Sequence, residues 1–539
     1  MDEPSRPAVY RVPANLLPLG ADGRPLNRRR PYRIQPGETN RAAGPPHRLA
    51  DRPARATAPV TTEVRTPAAE APPSPGGSIR RLVREHQLFC VTALAATLVR
   101  VIAMLGYPPA LWYPDSLPYI HAALYPAPYR IRPVGYSFML WALRPFHSFM
   151  LVVAVQHAMG VATGIAVYAL LRRRFRLPAW AATLAAIPPL LSAYAIQIEH
   201  FVLSDAPFAF LVTTAVVLVL WRPVPPVWIC ALAGLLMSAA ALVRSEGLPL
   251  MVVFCAYLLT RLRSLRVAAG ILVMCVVFAI SVFGYGQWFD RTYGSFQLTT
   301  STGAFVYGRV STFADCSVIK PPADERWLCL TLPASQRTQP PQYYVWSPTS
   351  PIQHGPGWEF STTVNRLATD FDRRAIEAQP LDYLEAVLYS TFLSFHPNST
   401  QNQYLFPAHV PESLQAIAAQ NDENYLDGYN YNRGNPSTRL IEPLAGWTRE
   451  YQRFAVVSGW LLAVIMLAGL AGMAAARRRL GGPALLPWLT GLALLVTPAA
   501  TSDFSARYVV ASIPSFCIAA ALGIKEIADY FGRDRVNLA

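Results

Sequence analysis

The stretch WYPDSLPYIHAALYPAPYRIRPVGY, residues 112–136, follows the first long apolar segment of the chain. It contains a lone acid, Asp115, and two arginines, Arg130 and Arg132, with aromatic residues on both sides. Because apolar segments flank this loop, we expect it at a membrane surface, with the rest of the chain as its scaffold. Such a loop suits a polar reaction on a substrate that is held in lipid.

The composition is that of a polytopic membrane protein. Of 539 residues, 53% are hydrophobic and only 15% are charged, whereas about a quarter of the residues of soluble proteins are charged. The apolar residues are concentrated in runs of about 20 residues, the length that crosses a hydrocarbon core. The formal net charge of +15 lies mainly in the N-terminal tail and in short loops. This distribution follows the orientation rule for membrane proteins and does not indicate a nucleic-acid partner.

The positions of the arginines predict an all-α membrane protein with about ten transmembrane helices and both termini in the cytoplasm. Arginine clusters follow the second, fourth, sixth and eighth apolar segments, and such clusters mark the cytoplasmic side. The polar residues at the other ends of these segments are then extracytoplasmic. The predicted spans are residues 87–106, 149–171, 179–197, 206–221, 227–243, 247–260, 267–285, 453–475, 483–500 and 508–523.

The same topology predicts the domains. Residues 1–84 are rich in Pro, Arg, Ala and Gly, so we expect a disordered, basic cytoplasmic tail. Residues 286–450 are polar and contain no long apolar run, which predicts an extracytoplasmic domain of mixed α/β structure. The other regions are helices one to seven at 85–285 with the first outside loop at 107–148, helices eight to ten at 451–525, and a cytoplasmic tail at 526–539.

Asp115 is the first candidate for chemistry, because a carboxylate at this surface can take a proton from an incoming hydroxyl group. The alternative is that Asp115 or Ser116 only caps the helix that follows. A second polar group, Glu199, His200 and Asp205, lies at the outer ends of the third and fourth spans, where acids are often functional. For Asp205 the alternative is a favourable interaction with the helix dipole.

Arginines on the same face are candidates for binding a phosphate, because a guanidinium can bind two phosphate oxygens at once. Each of these arginines, taken alone, is more simply interpreted as an anchor at the membrane interface. Arg100, inside the first span, either snorkels to the outer surface or approaches a lipid phosphate. The acids predicted on the outer face are compatible with a bound divalent metal, although no ligand spacing requires one. The candidates for the substrate and lipid-phosphate site are Arg130, Arg132, Arg244 and Arg507, together with His200, Asp205 and Glu246.

The cysteines fall into two groups. Cys316 and Cys329 lie in the polar region that we place outside the membrane, where an oxidising compartment allows a disulfide between them. The others lie in apolar runs and are expected to be small core residues. No CxxC pair or Cys/His cluster indicates a zinc site.

Taken in chain order, these motifs resemble the GT-C superfamily of integral-membrane glycosyltransferases over residues 87–525. The pattern is similar to bacterial relatives of the protein O-mannosyltransferases and of the lipid A aminoarabinose transferase. The protein mannosyltransferases have Asp-Glu in the first loop, whereas Ser116 follows Asp115 here. The segment from Val306-Tyr-Gly-Arg309-Val to Cys316 looks like actinobacterial members. The motifs are Asp115, Arg132-Pro-Val-Gly-Tyr136, the acid after the third span, Val243-Arg-Ser-Glu246-Gly and Ser-Ala-Arg507-Tyr508.

The resemblance implies a glycosyltransferase in the cell membrane with its active site on the extracytoplasmic face. It implies Asp115 as the catalytic base, with Glu199 as a second candidate, and Arg244 and Arg507 as ligands of the lipid phosphate. Nucleotide sugars are absent outside the membrane, so the expected donor is a polyprenyl-phosphate sugar carrying a hexosyl or pentosyl group. The expected reaction is an inverting transfer to a hydroxyl group of a polysaccharide, a glycolipid or a protein.

Two other classes of function are compatible with the sequence: a transporter or flippase, and a non-catalytic assembly protein of the cell envelope. Few ionisable residues lie within the predicted spans, whereas coupled transporters usually carry some at mid-depth. A non-catalytic protein would tolerate replacement of Asp115, and an enzyme that uses this base would not.

Overall fold

The computed structural model describes residues 75–262, 264–396, 406–409 and 422–537. The predicted disordered tail lies outside the described residues as far as residue 74, and the first helix begins at Pro75. The helices of the first half are α1 Pro75–Gly106, α2 Ser116–Leu124, α3 Gly135–Leu143, α4 Phe149–Ala169, α5 Ala179–Leu191, α6 Ala193–His200, α7 Asp205–Leu220, α8 Val227–Val243, α9 Gly247–Leu259 and α10 Leu265–Tyr293.

The second half is also helical in its described part, and short 3-10 turns join several of the helices. A π-helical turn, Leu170–Arg174, continues α4 in the first half. The helices of the second half are α11 Thr302–Val310, α12 Cys316–Ile319, α13 Tyr343–Trp346, α14 Thr362–Ala378, α15 Pro380–Leu393, α16 Asp422–Asn432, α17 Leu444–Gln452, α18 Gly459–Ala475, α19 Leu485–Thr501 and α20 Ala506–Asn537.

Within the described part of the chain, five helical segments are long and apolar enough to cross a membrane, which makes the chain a multi-pass membrane protein. The segments are Arg84–Gly106, Phe149–Arg174, Leu265–Tyr293, Gly482–Thr501 and Ala506–Phe531. The predicted count of ten is not supported, because α7, α8, α9 and α18 have only 13 to 17 residues. At about 1.5 Å per residue, helices of this length fall short of a hydrocarbon core of about 30 Å.

The third predicted span is a bent pair rather than one helix. α5 and α6 meet at 45° and together are long enough to count as a sixth span. Pro188 and Pro189 lie inside α5, and a proline in a helix removes a backbone hydrogen bond and clashes with the preceding turn. Ser192 then caps the new helix, because its hydroxyl accepts a hydrogen bond from the amide of Ala195.

The region predicted as a mixed α/β domain contains helices and loops but no strand among its described residues. Its longest helix, α14, is amphipathic, with buried Val364, Leu367, Phe371 and Ala375 at helical spacing. Val364, Phe371 and Ala375 pack with residues of α11 in a core of their own. Prolines are frequent in the connecting loops, and proline is poorly tolerated within sheets. Cys316 and Cys329 are joined by a disulfide in this region.

Candidate functional site

The loop between α1 and α2 is held by the turn between α6 and α7. The amide of Leu111 donates to the carbonyl of His200 at 3.0 Å, and the amide of Val202 donates to the carbonyl of Leu111 at 3.2 Å. These bonds form an isolated parallel bridge between Leu111 and Phe201. The start of α2 is thereby fixed beside the start of α7, so Asp115 and Asp205 occupy the same part of the molecule.

Asp115 stands at the first position of the turn that opens α2, but its side chain does not cap the helix. The local turn is closed by Ser116 instead, whose hydroxyl accepts a hydrogen bond from the amide of Tyr113 at 3.0 Å. The Asp115 carboxylate is thus available for partners elsewhere. Helix capping is therefore excluded as the role of the Asp115 side chain.

Two arginines bind the two oxygens of the Asp115 carboxylate. Arg132 donates from Nη2 to Oδ1 at 2.7 Å, and Arg507 donates from Nη1 to Oδ2 at 3.0 Å. Arg132 comes from the same loop, whereas Arg507 lies 392 positions later at the start of α20. Both sequence candidates therefore converge on the predicted base.

The arginines continue into a larger cluster of alternating charges. Arg244 donates to Asp205 at 2.6 Å and to Glu246 at 3.0 Å. The Nε of Arg507 lies 3.4 Å from the same Asp205 oxygen, Oδ1, without forming a hydrogen bond. The other oxygen of Asp205 is buried and has no hydrogen-bond partner. We call the six residues the charge cluster: Asp115, Arg132, Asp205, Arg244, Glu246 and Arg507.

Aromatic rings cover two of the guanidiniums. The guanidinium carbon of Arg507 lies 5.0 Å from the ring centre of Tyr113 and 5.5 Å from that of Tyr508. The guanidinium carbon of Arg244 lies 5.0 Å from the Tyr508 ring. Such contacts are attractive for a cation and shield it from water. They hold both guanidiniums in place at the ends of their helices.

The surroundings of Asp115 determine its charge. Burial raises the pKa of the Asp115 carboxyl, but the positive charges of Arg132 and Arg507 outweigh burial and leave that pKa below its ordinary value. The carboxylate is therefore ionised at neutral pH. It can accept a hydrogen bond or a proton, but it is a weak base for as long as both arginines remain bound to it.

Close packing of α3 against α8 sets the position of the Arg132 loop. A side chain at Gly135 would place its Cβ 2.5 Å from the carbonyl oxygen of Leu242. The backbone at Gly135, three residues after Arg132, can therefore approach the last turn of α8 only because no side chain is present. The Pro-Val-Gly motif thus brings Arg132 towards the end of the helix that carries Arg244.

Glu199 and His200 belong to a different cluster. Arg100 binds Glu199 through two hydrogen bonds, from Nε at 2.7 Å and from Nη2 at 2.8 Å. The Nδ1 of His157 is 2.8 Å from the same carboxylate, and its Nε2 is 3.2 Å from Nδ1 of His200. A side chain at Gly160 would overlap the Glu199 carboxylate. We call Arg100, His157, Glu199 and His200 the buried cluster.

The structure gives Arg100 and Arg130 their own environments. Arg100 is 2% exposed and neither snorkels nor faces a lipid phosphate, because Glu199 occupies its guanidinium. Arg130 stacks on the ring of Tyr293, with 4.1 Å between its guanidinium carbon and the ring centre. Its backbone carbonyl accepts a hydrogen bond from the amide of Thr300 at 2.7 Å. Arg130 therefore lies outside the charge cluster.

Sequence reasoning missed the partner of Arg100 and the role of His157 beside it. One signal was available: an arginine inside one span requires a counter-charge, and Glu199 is an acid at the end of another. His157 gave no signal, since a single histidine in an apolar run resembles any core histidine. Among the described residues, no three His, Cys, Asp or Glu side chains are grouped so as to hold a metal ion.

The search of solved structures finds weak similarities. The oligosaccharyltransferase AglB from Archaeoglobus fulgidus, in complex with an inhibitory peptide and a dolichol-phosphate, shares 12% identity at a TM-score of 0.40, over 85% of this chain and 52% of that one. Its apo form gives a TM-score of 0.42 at 12% identity, over 86% and 52%. ArnT from Cupriavidus metallidurans, in the apo state, gives 0.29 at 16% identity, over 81% and 77%.

Two of these three matches are the oligosaccharyltransferase AglB, and all three share less than 25% identity with this chain. The chain spans about half the length of the oligosaccharyltransferase chains, 52% in both forms. Every TM-score among the three is below 0.5, so these similarities do not indicate the activity or the substrate of this chain. No protein-family model matches the chain, and no curated protein matches it.

Proposed function

We propose that the protein is a membrane glycosyltransferase that moves a sugar from a polyprenyl-phosphate donor to a hydroxyl acceptor at the charge cluster. The observation that carries this proposal is the pairing of Asp115 with both Arg132 and Arg507. A carboxylate and two guanidiniums at the end of apolar helices offer a base and a phosphate site within hydrogen-bond distance of each other. We place this site on the extracytoplasmic face.

The proposed reaction is a single displacement with inversion. The acceptor hydroxyl gives its proton to the Asp115 carboxylate, and its oxygen forms a bond to the anomeric carbon. The bond from that carbon to the phosphate oxygen breaks, and the polyprenyl phosphate leaves with the electron pair. Arg132, Arg244 and Arg507 stabilise the negative charge that develops on the leaving oxygen, as electrostatic catalysis requires.

Asp115 is masked in the absence of a donor, because both of its oxygens accept hydrogen bonds from arginines. A donor phosphate competes for the same guanidiniums. As Arg132 and Arg507 turn to the phosphate, the attraction that lowers the pKa of Asp115 weakens, and its carboxylate becomes a stronger base. Donor binding thus prepares the base for the transfer.

We propose that the region between α10 and α18 selects the acceptor. The hydroxyl of Ser301 donates to the carbonyl of Ile131 at 2.8 Å, and the amide of Thr300 donates to the carbonyl of Arg130. These bonds tie the start of α11 to the segment that carries Arg132. We propose that this region covers the charge cluster and contacts the acceptor.

A panel of donors tests the proposed reaction. Purified protein in lipid nanodiscs is given polyprenyl-phosphate sugars with different hexosyl and pentosyl groups, together with a mixture of hydroxyl acceptors. Mass spectrometry follows the release of free polyprenyl phosphate. We expect one donor to be consumed with multiple turnovers, because the proposed transfer releases polyprenyl phosphate and leaves the protein unchanged. If every donor stays intact while the protein is folded, the glycosyltransferase proposal is wrong.

A further inference from the structure

A buried arginine lies in the extramembrane region, away from the charge cluster. Arg309 is in the last turn of α11 and only 2% exposed. Its Nε and Nη2 are buried and have no hydrogen-bond partner. Leaving charged donors buried and unpaired costs free energy, so their persistence calls for a physical reason.

The two unpaired donors form one edge of the guanidinium. Nε and Nη2 point in parallel, and this edge is the one that binds both oxygens of a carboxylate or a phosphate. Burial lowers the pKa of Arg309, and the attraction of Asp503 opposes that effect. Asp503 attracts Arg309 but does not fill the edge, because neither Nε nor Nη2 has a hydrogen-bond partner.

The elements around Arg309 contact the two segments that lead to Arg132 and Arg507 of the charge cluster. The start of α11 is bonded to the segment of Arg130 and Ile131. The hydroxyl of Tyr383, a neighbour of Arg309, donates to the carbonyl of Ala500 at 3.1 Å. Arg309 therefore sits between the extramembrane helices and the segment that leads from α19 to Arg507.

We propose that Arg309 is the centre of an oxyanion site, which takes a carboxylate or phosphate group from the aqueous side. The ligand would bind the Nε and Nη2 edge with two parallel hydrogen bonds. Asp503, whose carboxylate acts on Arg309 through its charge, would weaken binding by repulsion and so lower the affinity for the anion. The site would hold the α19–α20 connection against α11. It exists whether or not the charge cluster transfers a sugar.

Binding of inorganic phosphate and of acetate tests the site. The full-length protein in nanodiscs of zwitterionic lipid is titrated by calorimetry at constant ionic strength, as wild type, Arg309→Met and Asp503→Asn. Arg366→Met is the matched control, because Arg366 lies on α14 with a side chain 63% exposed and its loss removes the same charge. We expect Arg309→Met to bind at least one of the two anions about tenfold more weakly or worse. Asp503→Asn should bind more tightly, and the control should match wild type.

Thermal unfolding in buffer without phosphate or acetate separates this site from a structural arginine. Removing a buried cation without hydrogen-bond partners at two donors should leave the midpoint unchanged or raise it. If Arg309 instead forms an internal pair with Asp503, both Arg309→Met and Asp503→Asn lower the midpoint, and the proposal is overturned. It is also overturned if Arg309→Met binds phosphate and acetate as the wild type does.

Discussion

Asp115→Asn is expected to lower the turnover of the sugar donor by about a hundredfold to ten-thousandfold, the range that a general base contributes. Asparagine has nearly the same shape as aspartate but cannot take a proton at neutral pH. Donor affinity should stay the same or increase, because Arg132 and Arg507 lose a negatively charged competitor. The measurement is release of polyprenyl phosphate under single-turnover conditions, beside equilibrium binding of the donor.

Asp370→Asn is the matched control for this prediction. Asp370 is a partly exposed acid on α14, and its contacts with Arg366 and Arg373 are 3.8 Å long. Its replacement should leave turnover and donor binding at the wild-type values. Equal turnover in Asp115→Asn and wild type would remove Asp115 as the base and direct attention to Glu199 of the buried cluster. Loss of donor binding together with turnover would make Asp115 a residue that only positions Arg132 and Arg507.

Arg100→Met is expected to lower the free energy of unfolding by about 3–5 kcal/mol, the usual effect of removing one partner from a buried ion pair. Glu199 would then keep its negative charge in a buried site, with His157 as its remaining side-chain partner. Turnover per folded molecule should change little, because Arg100 does not contact the charge cluster. Denaturant unfolding in detergent micelles and donor turnover measure the two effects separately.

The double variant Arg100→Met with Glu199→Gln tests the cause of that loss. Removing both charges together should cost less than removing Arg100 alone, because no unpaired buried carboxylate is left. A double variant as unstable as the sum of both single variants would contradict the ion-pair explanation. An Arg100→Met protein that is stable but inactive would place the buried cluster in the reaction.

The sequence predicted much of the charge cluster because the outer ends of spans are where charged side chains are expected. Asp115, Arg244 and Arg507 each stand beside a long apolar run, so the same face of the membrane was the expected place for all three. Their actual pairs were beyond prediction. Arg507 finds Asp115 across 392 positions, and that meeting depends on how the helices pack, which local patterns do not encode.

Other expectations failed for reasons that are physical and local. The apolar length of α8 is only 17 residues, and a window of apolar residues does not reveal whether a short helix crosses a membrane alone. The polar composition of residues 286–450 concealed the helical spacing of the apolar residues in α14. Arg100 was judged without its partner, since an arginine in a span can satisfy its charge in water, in a headgroup or in another helix.

The most direct measurement is the structure of the protein with a polyprenyl phosphonate sugar, an analogue of the donor whose glycosidic bond cannot break. We predict that the phosphonate oxygens lie within hydrogen-bond distance of Arg132 and Arg507, and that both arginines have moved off Asp115. The freed carboxylate should face the anomeric carbon on the side opposite the phosphonate. An analogue bound elsewhere, with Asp115 still paired to both arginines, would contradict the proposed site and its mechanism.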